Sequence, residues 1–259
     1  MKIATWNVNS LRVRLPQLIA WQQSVDMDVL ALQETKTQDS EFPLAELQAQ
    51  GLQAVFSGQR TYNGVAILSK TPATHIVAGI PGFADEQKRV LAATVNDTRV
   101  INVYVPNGQA LDSDKYQYKL AWLNALTHYL QDELQAHQRL VLLGDFNIAP
   151  EDRDVHDPKA WQGSVLVSEP ERTALQRLLS LGMRDTFRCF EQAEQSFSWW
   201  DYRAAGFRRN AGLRIDLILS NQEMSDACMT CHIDKTPRKQ ERPSDHTPVI
   251  AEFRTARTD

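Results

Sequence analysis

Short apolar segments recur along the whole chain, and many of them are rich in β-branched residues. This pattern is typical of strands, and the segments that are almost continuously apolar are typical of strands covered on both faces. Eight segments are therefore predicted as strands: Ile3–Trp6, Val29–Gln33, Val65–Leu68, Leu91–Val95, Val100–Val105, Leu140–Leu143, Leu213–Leu219 and Pro248–Phe253.

Between the strands, apolar residues recur every three or four positions, which predicts helices. The clearest helix has its N-cap at Ser113 and runs to Ala136. Pro16 is expected to be the first residue of a helix that ends at Gln23, and Glu169–Leu181 is a third predicted helix. The apolar stripe of the longest helix consists of Tyr116, Leu120, Leu123, Leu126, Leu130 and Leu134.

Strands outnumber helices and do not alternate strictly with them. This order favours two sheets packed face to face with helices outside, in one domain over residues 1–259. Neither a GxGxxG nor a GxxxxGK[ST] motif is present, which argues against a regular βαβ nucleotide-binding fold.

Composition and charge narrow the class of protein. Hydrophobic residues make up 42% of the chain and charged residues 23%, which excludes a disordered chain or a fibre. The formal net charge of −4 excludes an overall basic protein but leaves room for a local basic patch. The chain has no apolar segment of the ~18 residues that would predict a membrane span, so no membrane partner is expected. The odd number of cysteines, three, predicts a cytoplasmic protein.

Polar side chains follow or precede apolar strands at five places along the chain. Taken alone, each of them is usually a turn former or a helix cap. Their repetition at strand ends predicts a site, because a packed sheet fixes the backbones while the adjoining loops vary. The candidates are Asn7, Glu34, Asp145, Asn147, Asp216, Asp245 and His246.

Two spatial relations within this set are predicted. Asp145 and Asn147 are expected on one side of the chain if their strand continues, because side chains alternate along a strand. Asp216 interrupts an apolar strand, where an unpaired carboxylate is costly, so it needs a partner. A histidine is the expected partner.

The candidate side chains predict a class of chemistry. They are mainly carboxylates and amides, whose hard oxygen atoms suit Mg²⁺ or Mn²⁺, and a single histidine, His246, argues against a multi-histidine zinc site. Magnesium held by few carboxylates completes its shell with water and with phosphate oxygens of the substrate. The set therefore indicates hydrolysis or transfer at phosphorus. No GxSxG motif indicates a nucleophilic serine.

Several segments containing these residues resemble the exonuclease III family of apurinic/apyrimidinic endonucleases. The resemblance extends from the first predicted strand to the last, in matching order and spacing. A looser superfamily, which includes pancreatic-type deoxyribonucleases, sphingomyelinases and inositol polyphosphate 5-phosphatases, shares only the Asn, Glu, Asp-x-Asn and Asp-His elements. The matching segments are Trp6–Ser10, Leu32–Lys36, Tyr104–Gly108, Gly144–Pro150, Phe197–Arg203, Arg214–Asp216 and Ser244–Pro248.

The resemblance implies a four-layer α/β sandwich, in which two mixed sheets pack face to face between helices and the site lies at one end. It implies that Glu34 is the main ligand of Mg²⁺ or Mn²⁺, with Asn7 beside it and Asp245 close enough to hold the ion or its water. The implied metal-binding set is Asn7, Glu34, Asp145, Asn147, Asp245 and His246.

The resemblance also implies catalytic roles. Asp145 would deprotonate the attacking water, Asn147 would hold that water or stabilise the charge on phosphorus, and Tyr104 would donate to the phosphate or the leaving group. His246, oriented by Asp216, would contact the scissile phosphate. Whether Asp145 or the Asp216–His246 pair is the general base stays open.

A basic, aromatic rim is predicted around the acidic residues. The segment between Tyr202 and Ile215 carries four arginines and no acid, and the segment Lys235–Arg242 carries four basic residues and one acid. Such a rim suits a polyanion that is held through its phosphates. Lys119 is a further candidate for a phosphate contact. The predicted DNA-binding residues are Asn9, Lys36, Asn107, Lys115, Trp199, Arg203 and Leu213.

The leading hypothesis is a metal-dependent DNA phosphodiesterase of base-excision repair that acts as a monomer on double-stranded DNA. Its expected substrates are abasic sites and 3′ ends. The balance between the two activities stays open, because Trp161 and Ser164 stand where some relatives carry asparagines that help to hold an abasic site. The alternatives are the same site acting on a non-DNA phosphoester, and a non-catalytic DNA-binding module.

Overall fold

The computed structural model describes residues 1–255, and its strands and helices follow one another irregularly along the chain. The strands are β1 (Lys2–Asn7), β2 (Val29–Gln33), β3 (Gln53–Ser57), β4 (Val65–Ser69), β5 (Ala73–Ala78), β6 (Val90–Val95), β7 (Thr98–Tyr104), β8 (Leu140–Asp145), β9 (Arg184–Asp185), β10 (Trp199–Trp200), β11 (Gly212–Leu213), β12 (Asp216–Ser220), β13 (Cys228–Ile233) and β14 (Val249–Phe253). The helices are α1 (Leu11–Val25), α2 (Leu44–Gln48), α3 (Asp114–Ala136), α4 (Pro158–Trp161), α5 (Glu169–Ser180) and α6 (Gln222–Ala227).

Twelve of these strands form two mixed sheets of six strands each. The first sheet has the order β13-β14-β1-β2-β4-β3, and the second has the order β5-β6-β7-β8-β12-β9. In each sheet one central pair is parallel, β1 with β2 and β7 with β8, and the other pairs are antiparallel. β10 and β11 form a separate two-stranded sheet.

The two large sheets pack face to face, and helices cover both outer faces. Ile3 of β1 lies in the cluster between the sheets with Val141 of β8, whereas its neighbour Ala4 lies in the outer cluster with Leu18 of α1. On the other outer face, α3 and α5 pack against the second sheet. Both faces of the central strands are therefore buried, which explains their continuous apolar sequences. The predicted four-layer sandwich is confirmed.

A buried polar contact joins the two sheets directly beneath the ends of their parallel strands. Gln33 at the end of β2 donates from Nε2 to Asn102 Oδ1 of β7 at 2.8 Å. Asn102 in turn donates from Nδ2 to the carbonyls of Leu32 at 2.9 Å and Ala66 at 2.8 Å. These bonds satisfy buried polar groups and fix the position of one sheet relative to the other.

Two predicted elements differ from the structure by more than one or two residues at a boundary. Helix α1 begins at Leu11, so Pro16 lies inside it and is not its first residue. Pro16 is exposed, and its missing N–H removes only one helical hydrogen bond there. The predicted strand Leu213–Leu219 is divided into β11 and β12, because the N–H groups of Ile215 and Asp216 both bond to Ser198 Oγ at 3.1 Å.

Ser113 does cap α3, since its side chain accepts a hydrogen bond from the Tyr116 N–H. Among residues 1–255, no helix combines the length and the apolar character that a bilayer crossing requires.

Candidate active site

The predicted strand-end residues meet at one end of the sandwich. Asn7 ends β1 and Glu34 directly follows β2, and because these strands are parallel, their ends lie side by side. Asp145 ends β8 of the other sheet, and Asp216 begins β12 directly opposite it in the antiparallel register. Strand ends from both sheets thus supply carboxylates to one place.

Asn7 connects the carboxylates of the two sheets. Its Nδ2 donates to Glu34 Oε1 and to Asp145 Oδ2, both at 2.9 Å. Its Oδ1 accepts from the Asn9 N–H at 3.0 Å. In this orientation the Asn7 amide nitrogen faces both carboxylates, and the predicted ligand role of Asn7 stays a prediction.

His246 lies between two carboxylates. Its Nδ1 is 2.9 Å from Asp216 Oδ2, which confirms the predicted need of Asp216 for a histidine partner. Its Nε2 is 3.7 Å from Asp145 Oδ2. One ligand atom each of Glu34, Asp145 and His246 lies within 4.8 Å of the others, a spacing at which a single cation can be held.

Electrostatic coupling sets the protonation of this centre. Burial raises the pKa of Asp145 to about 7, against the opposing charge of His246. Burial acts to lower the pKa of His246, but the carboxylates of Asp216 and Asp145 raise it to about 10. The two aspartates therefore favour the charged, imidazolium form of His246.

Glu34 is held by two further groups. Its Oε2 lies 3.0 Å from Lys36 Nζ, and its Oε1 accepts from the Tyr104 hydroxyl at 2.8 Å. Burial acts to raise the pKa of Glu34, but the Lys36 ammonium and the Asn7 amide outweigh it and lower the pKa. Burial and the Glu34 charge raise the pKa of Tyr104 well above its ordinary value, so Tyr104 stays a hydrogen-bond donor.

The backbone at the centre adopts conformations that side chains other than glycine seldom take. Glu34 has a φ of 51° and Asn147 a φ of 49°, and such left-handed residues cost about 1–3 kcal/mol each. Gly144 has a φ of 148°, and a Cβ atom there would lie 1.9 Å from the Val103 carbonyl oxygen. Only glycine therefore allows β8 to approach β7 at the position before Asp145.

Asn147 lies close to Asp145 for a different reason from the predicted one. Strand β8 ends at Asp145, so alternation along a strand is not the reason for their proximity. The left-handed turn brings the Asn147 N–H to Asp145 Oδ1 at 2.9 Å. Asn147 Nδ2 donates to the Val105 carbonyl at 3.0 Å, and Asn107 Nδ2 donates to Asn147 Oδ1 at 3.2 Å.

Asp245 is engaged by the predicted substrate-binding residues. Its Oδ1 accepts from Asn9 Nδ2 at 2.9 Å, and its Oδ2 accepts from Trp199 Nε1 at 3.0 Å. Lys36 Nζ donates to Asn9 Oδ1 at 2.5 Å, so Lys36 connects this group to Glu34. The structure thus brings Asn9, Lys36 and Trp199 to the edge of the centre, while the ligand role of Asp245 stays a prediction.

Of the other residues predicted to contact DNA at the rim, some are exposed and others are buried. Lys115 and Arg203 are exposed, and Arg203 forms an ion pair with Asp201 at 2.6 Å. Leu213 is fully buried in the cluster against which Trp199 and Trp161 pack, so it offers no surface to DNA. The DNA contact predicted for Leu213 is therefore corrected to a packing role.

Two basic residues that were assigned to DNA are also buried. Arg214 is 1% exposed and pairs with Asp154 and Asp185, which neutralise its charge inside the protein. Lys119 is 0% exposed and pairs with the equally buried Glu171. Neither side chain can reach a phosphate at the surface.

Sequence reasoning missed two serines that support the centre. Ser244 Oγ donates to the Asn7 carbonyl at 2.7 Å and accepts from the His246 N–H at 3.2 Å. Ser198 Oγ accepts from the N–H groups of Ile215 and Asp216 at the start of β12. Both serines lie inside the segments that carried the resemblance, and that position was the signal that could have identified them.

Comparison with known proteins decides the family. Residues 4–246 match the model of the Endonuclease/Exonuclease/phosphatase family. The chain belongs to this family. Its acidic centre, Glu34, Asp145 and His246, fits the divalent-metal dependence of the endonuclease/exonuclease/phosphatase family, because its donor atoms are mainly hard oxygens.

Relatives within the endonuclease/exonuclease/phosphatase family confirm the resemblance found in the sequence. Exodeoxyribonuclease III of Haemophilus influenzae is 36% identical over 267 residues, which cover 98% of this chain and 100% of the relative.

Solved structures of this family share the fold over the whole length. A 3′ phosphatase from Neisseria bound to a product DNA hairpin is 49% identical, with a TM-score of 0.97 over 98% of this chain and 100% of that one. An AP endonuclease from Archaeoglobus fulgidus is 40% identical, with a TM-score of 0.95 over the same shares of the two chains.

Proposed function

We propose that this protein is a divalent-metal-dependent DNA phosphodiesterase of DNA repair, which acts at abasic sites and at 3′ ends of duplex DNA. The observation that carries the proposal is the convergence of Glu34, Asp145 and His246 at the strand ends of the sandwich. Relatives that span the whole chain are named as exodeoxyribonuclease, AP endonuclease and 3′ phosphatase, which supports DNA as the substrate.

Glu34 is the proposed principal ligand of the cation, with Asp145 completing the protein's share of the site, and His246 faces the phosphate. When bound, a divalent cation neutralises phosphate oxygens and lowers the pKa of water, which is the chemistry that phosphodiester hydrolysis needs. The oxygen-rich donor set favours Mg²⁺ or Mn²⁺. The lowered pKa of Glu34 keeps this carboxylate charged and ready to bind the cation at neutral pH.

Asp145 is the proposed general base. Burial raises its pKa to about 7, which is near the value at which a carboxylate accepts a proton most usefully at neutral pH. His246 is held as a cation by Asp216, so it suits stabilisation of the phosphate charge better than removal of a proton. This division of roles favours Asp145 over the Asp216–His246 pair.

We further infer a single catalytic domain over residues 1–259 and a monomer in the cytoplasm. The first and last strands, β1 and β14, are neighbours in one sheet, which supports one folding unit. One chain supplies every residue of the centre, which supports a monomer. The three cysteines are free, as in a reducing compartment.

The test uses three labelled duplexes, with an abasic site, a recessed 3′ end and a 3′ phosphate, in Mg²⁺ and in EDTA. The proposal expects cleavage of at least one duplex in Mg²⁺ and none in EDTA. An inositol phosphate serves as the non-DNA substrate, and cleavage of it in place of all three duplexes would overturn the proposal. Asp97→Asn, at the exposed turn between β6 and β7 at the opposite end, serves as the active control.

A further inference from the structure

A completely buried ion pair lies directly behind the proposed catalytic residues. Lys119 of α3 and Glu171 of α5 are both 0% exposed, and the ammonium group contacts a Glu171 carboxylate oxygen. Desolvating two charges is costly, and an apolar pair of similar volume is often as stable or more stable. Stability of the fold alone therefore does not explain why a charged pair occupies this position.

The ammonium group of Lys119 is saturated by acceptors from the site. Besides Glu171, its Nζ donates to the carbonyl oxygen of Asn147 at 2.7 Å and to that of Asn107 at 3.1 Å. Three donors thus meet three acceptors. Two of the acceptors belong to the backbones of residues whose side chains bond to each other beside Asp145.

Glu171 extends the same network to a third loop. Its Oε1 accepts from the Leu166 N–H at 3.0 Å, and its Oε2 accepts from the Ser168 N–H at 3.0 Å and from the Ser168 hydroxyl. The pair therefore joins the loop after β7, the loop after β8 and the segment before α5.

We propose that Lys119 is a positioning residue, which holds the backbone carbonyls of Asn147 and Asn107 and so directs Asn147 at Asp145. The proposal rests on the function proposed above. Asn147 is held on three sides, because its N–H bonds to Asp145, its side chain bonds to the Val105 carbonyl, and its own carbonyl bonds to Lys119. Its left-handed backbone needs such restraint.

Removing the ammonium leaves two buried carbonyls and one carboxylate without their donor, and the loop after β8 must shift to reach other partners. A displacement of about 1 Å at a catalytic group lowers turnover by as much as 10²-fold. Lys119→Met should therefore lower kcat by about tenfold to a hundredfold and change KM less, because Lys119 itself touches no substrate.

The decisive variant is the double substitution Lys119→Met/Glu171→Met. It removes the unpaired buried carboxylate that Lys119→Met leaves, so it should regain part of the thermal stability that Lys119→Met loses, although the Leu166 and Ser168 N–H groups lose their acceptor. If Lys119 positions Asn147, kcat stays low although the Tm recovers. Recovery of kcat together with the Tm would show that the pair only stabilises the fold and would overturn the proposal. This variant also carries the test if Lys119→Met alone does not fold.

Arg99→Met is the matched control. Arg99 lies in β7, at the end of that strand opposite to the site, and is 2% exposed. It forms an ion pair with Glu133 of α3, the helix that also contains Lys119. It should lower the Tm and leave kcat unchanged. A loss of kcat in Arg99→Met equal to that in the double variant would contradict a specific role for Lys119.

A readout independent of activity separates this proposal from the proposed function. Hydrogen exchange of the Asn147 N–H should be about tenfold faster in the double variant than in Arg99→Met, because a loosened loop opens its bond to Asp145 more often. Unchanged exchange would overturn the positioning role even in an active enzyme. Inactivity of the wild-type protein on all DNA substrates would instead overturn the proposed function.

Discussion

The centre of the site and its basic rim are built in opposite ways. In the centre, Asn7, Glu34, Asp145 and His246 are connected by hydrogen bonds and ion pairs that cross from one sheet to the other. In the rim, Arg203 is 88% exposed in its side chain and contacts a carboxylate only two residues away.

This difference determines how much each side chain contributes. A charge removed from the buried centre leaves its partners desolvated and unpaired, which costs several kcal/mol. An exposed ion pair is screened by water and salt and contributes about 0–1 kcal/mol. Substitutions should therefore have effects that fall in size from the centre outwards.

Asp145→Asn should have the largest effect. It keeps the shape of the side chain but removes the proposed base, so kcat on duplex DNA should fall by about 10²- to 10⁴-fold. DNA affinity, measured by fluorescence anisotropy in Ca²⁺, should stay nearly unchanged. Retention of turnover in this variant would refute the role of Asp145.

Asp216→Asn tests the coupling within the centre through the pH dependence of stability in EDTA. Because carboxylates raise the pKa of His246 to about 10, its stabilising contribution is complete below about pH 6.5 and is lost as the pH rises through 10. The Tm of the wild-type protein should therefore be higher than that of Asp216→Asn. This difference in Tm should be largest below pH 6.5 and should become smaller towards pH 10. A Tm difference that widens with pH would contradict the pairing.

Tyr104→Phe should have an intermediate effect. It removes a hydrogen bond to Glu34 but leaves the Lys36 contact and the Asn7 contact in place. We expect kcat to fall by about tenfold, since a bond to a charged group contributes about 1.5–3 kcal/mol at most. A titration of activity with Mg²⁺ should show a higher half-saturating Mg²⁺ concentration for the variant than for the wild-type protein. An unchanged half-saturating concentration would show that Tyr104 does not help Glu34 to bind the cation.

Arg203→Ala should have the smallest effect. The side chain is exposed and already paired with Asp201, so kcat should not change and KM should rise by no more than about threefold. The dependence of log KM on log salt concentration should become less steep by about one unit if Arg203 contacts a phosphate. An unchanged slope would show that this residue only pairs with Asp201.

The same contrast between interior and surface explains what could be predicted from the sequence. The central strands were predicted because both of their faces are apolar. All four edge strands of the two large sheets, β3, β5, β9 and β13, were missed. β5 and β13 are largely exposed, β3 is mostly half-buried, and β9 has two residues, so none has the apolar run that identifies a buried strand.

In the site, the residues at strand ends could be predicted from the sequence, whereas the residues that hold them in position could not. The cost of burying a carboxylate predicted a histidine partner for Asp216, and the family resemblance identified that histidine as His246. Lys119 was predicted to contact a phosphate, although it lies three residues after Tyr116 and four before Leu123, which share the buried face. That spacing was the available signal, but the partner that allows a lysine to be buried, Glu171, comes from a distant helix.

The most direct test of the central claim is anomalous diffraction from crystals of Asp145→Asn grown with Mn²⁺ and a DNA duplex that ends in a 3′ phosphate. The account predicts one strong manganese peak at coordinating distance from Glu34, about 2.1 Å for an octahedral oxygen ligand, with a DNA phosphate between the ion and His246. Manganese and phosphate bound elsewhere on the protein, with the Glu34–His246 pocket empty, would contradict it.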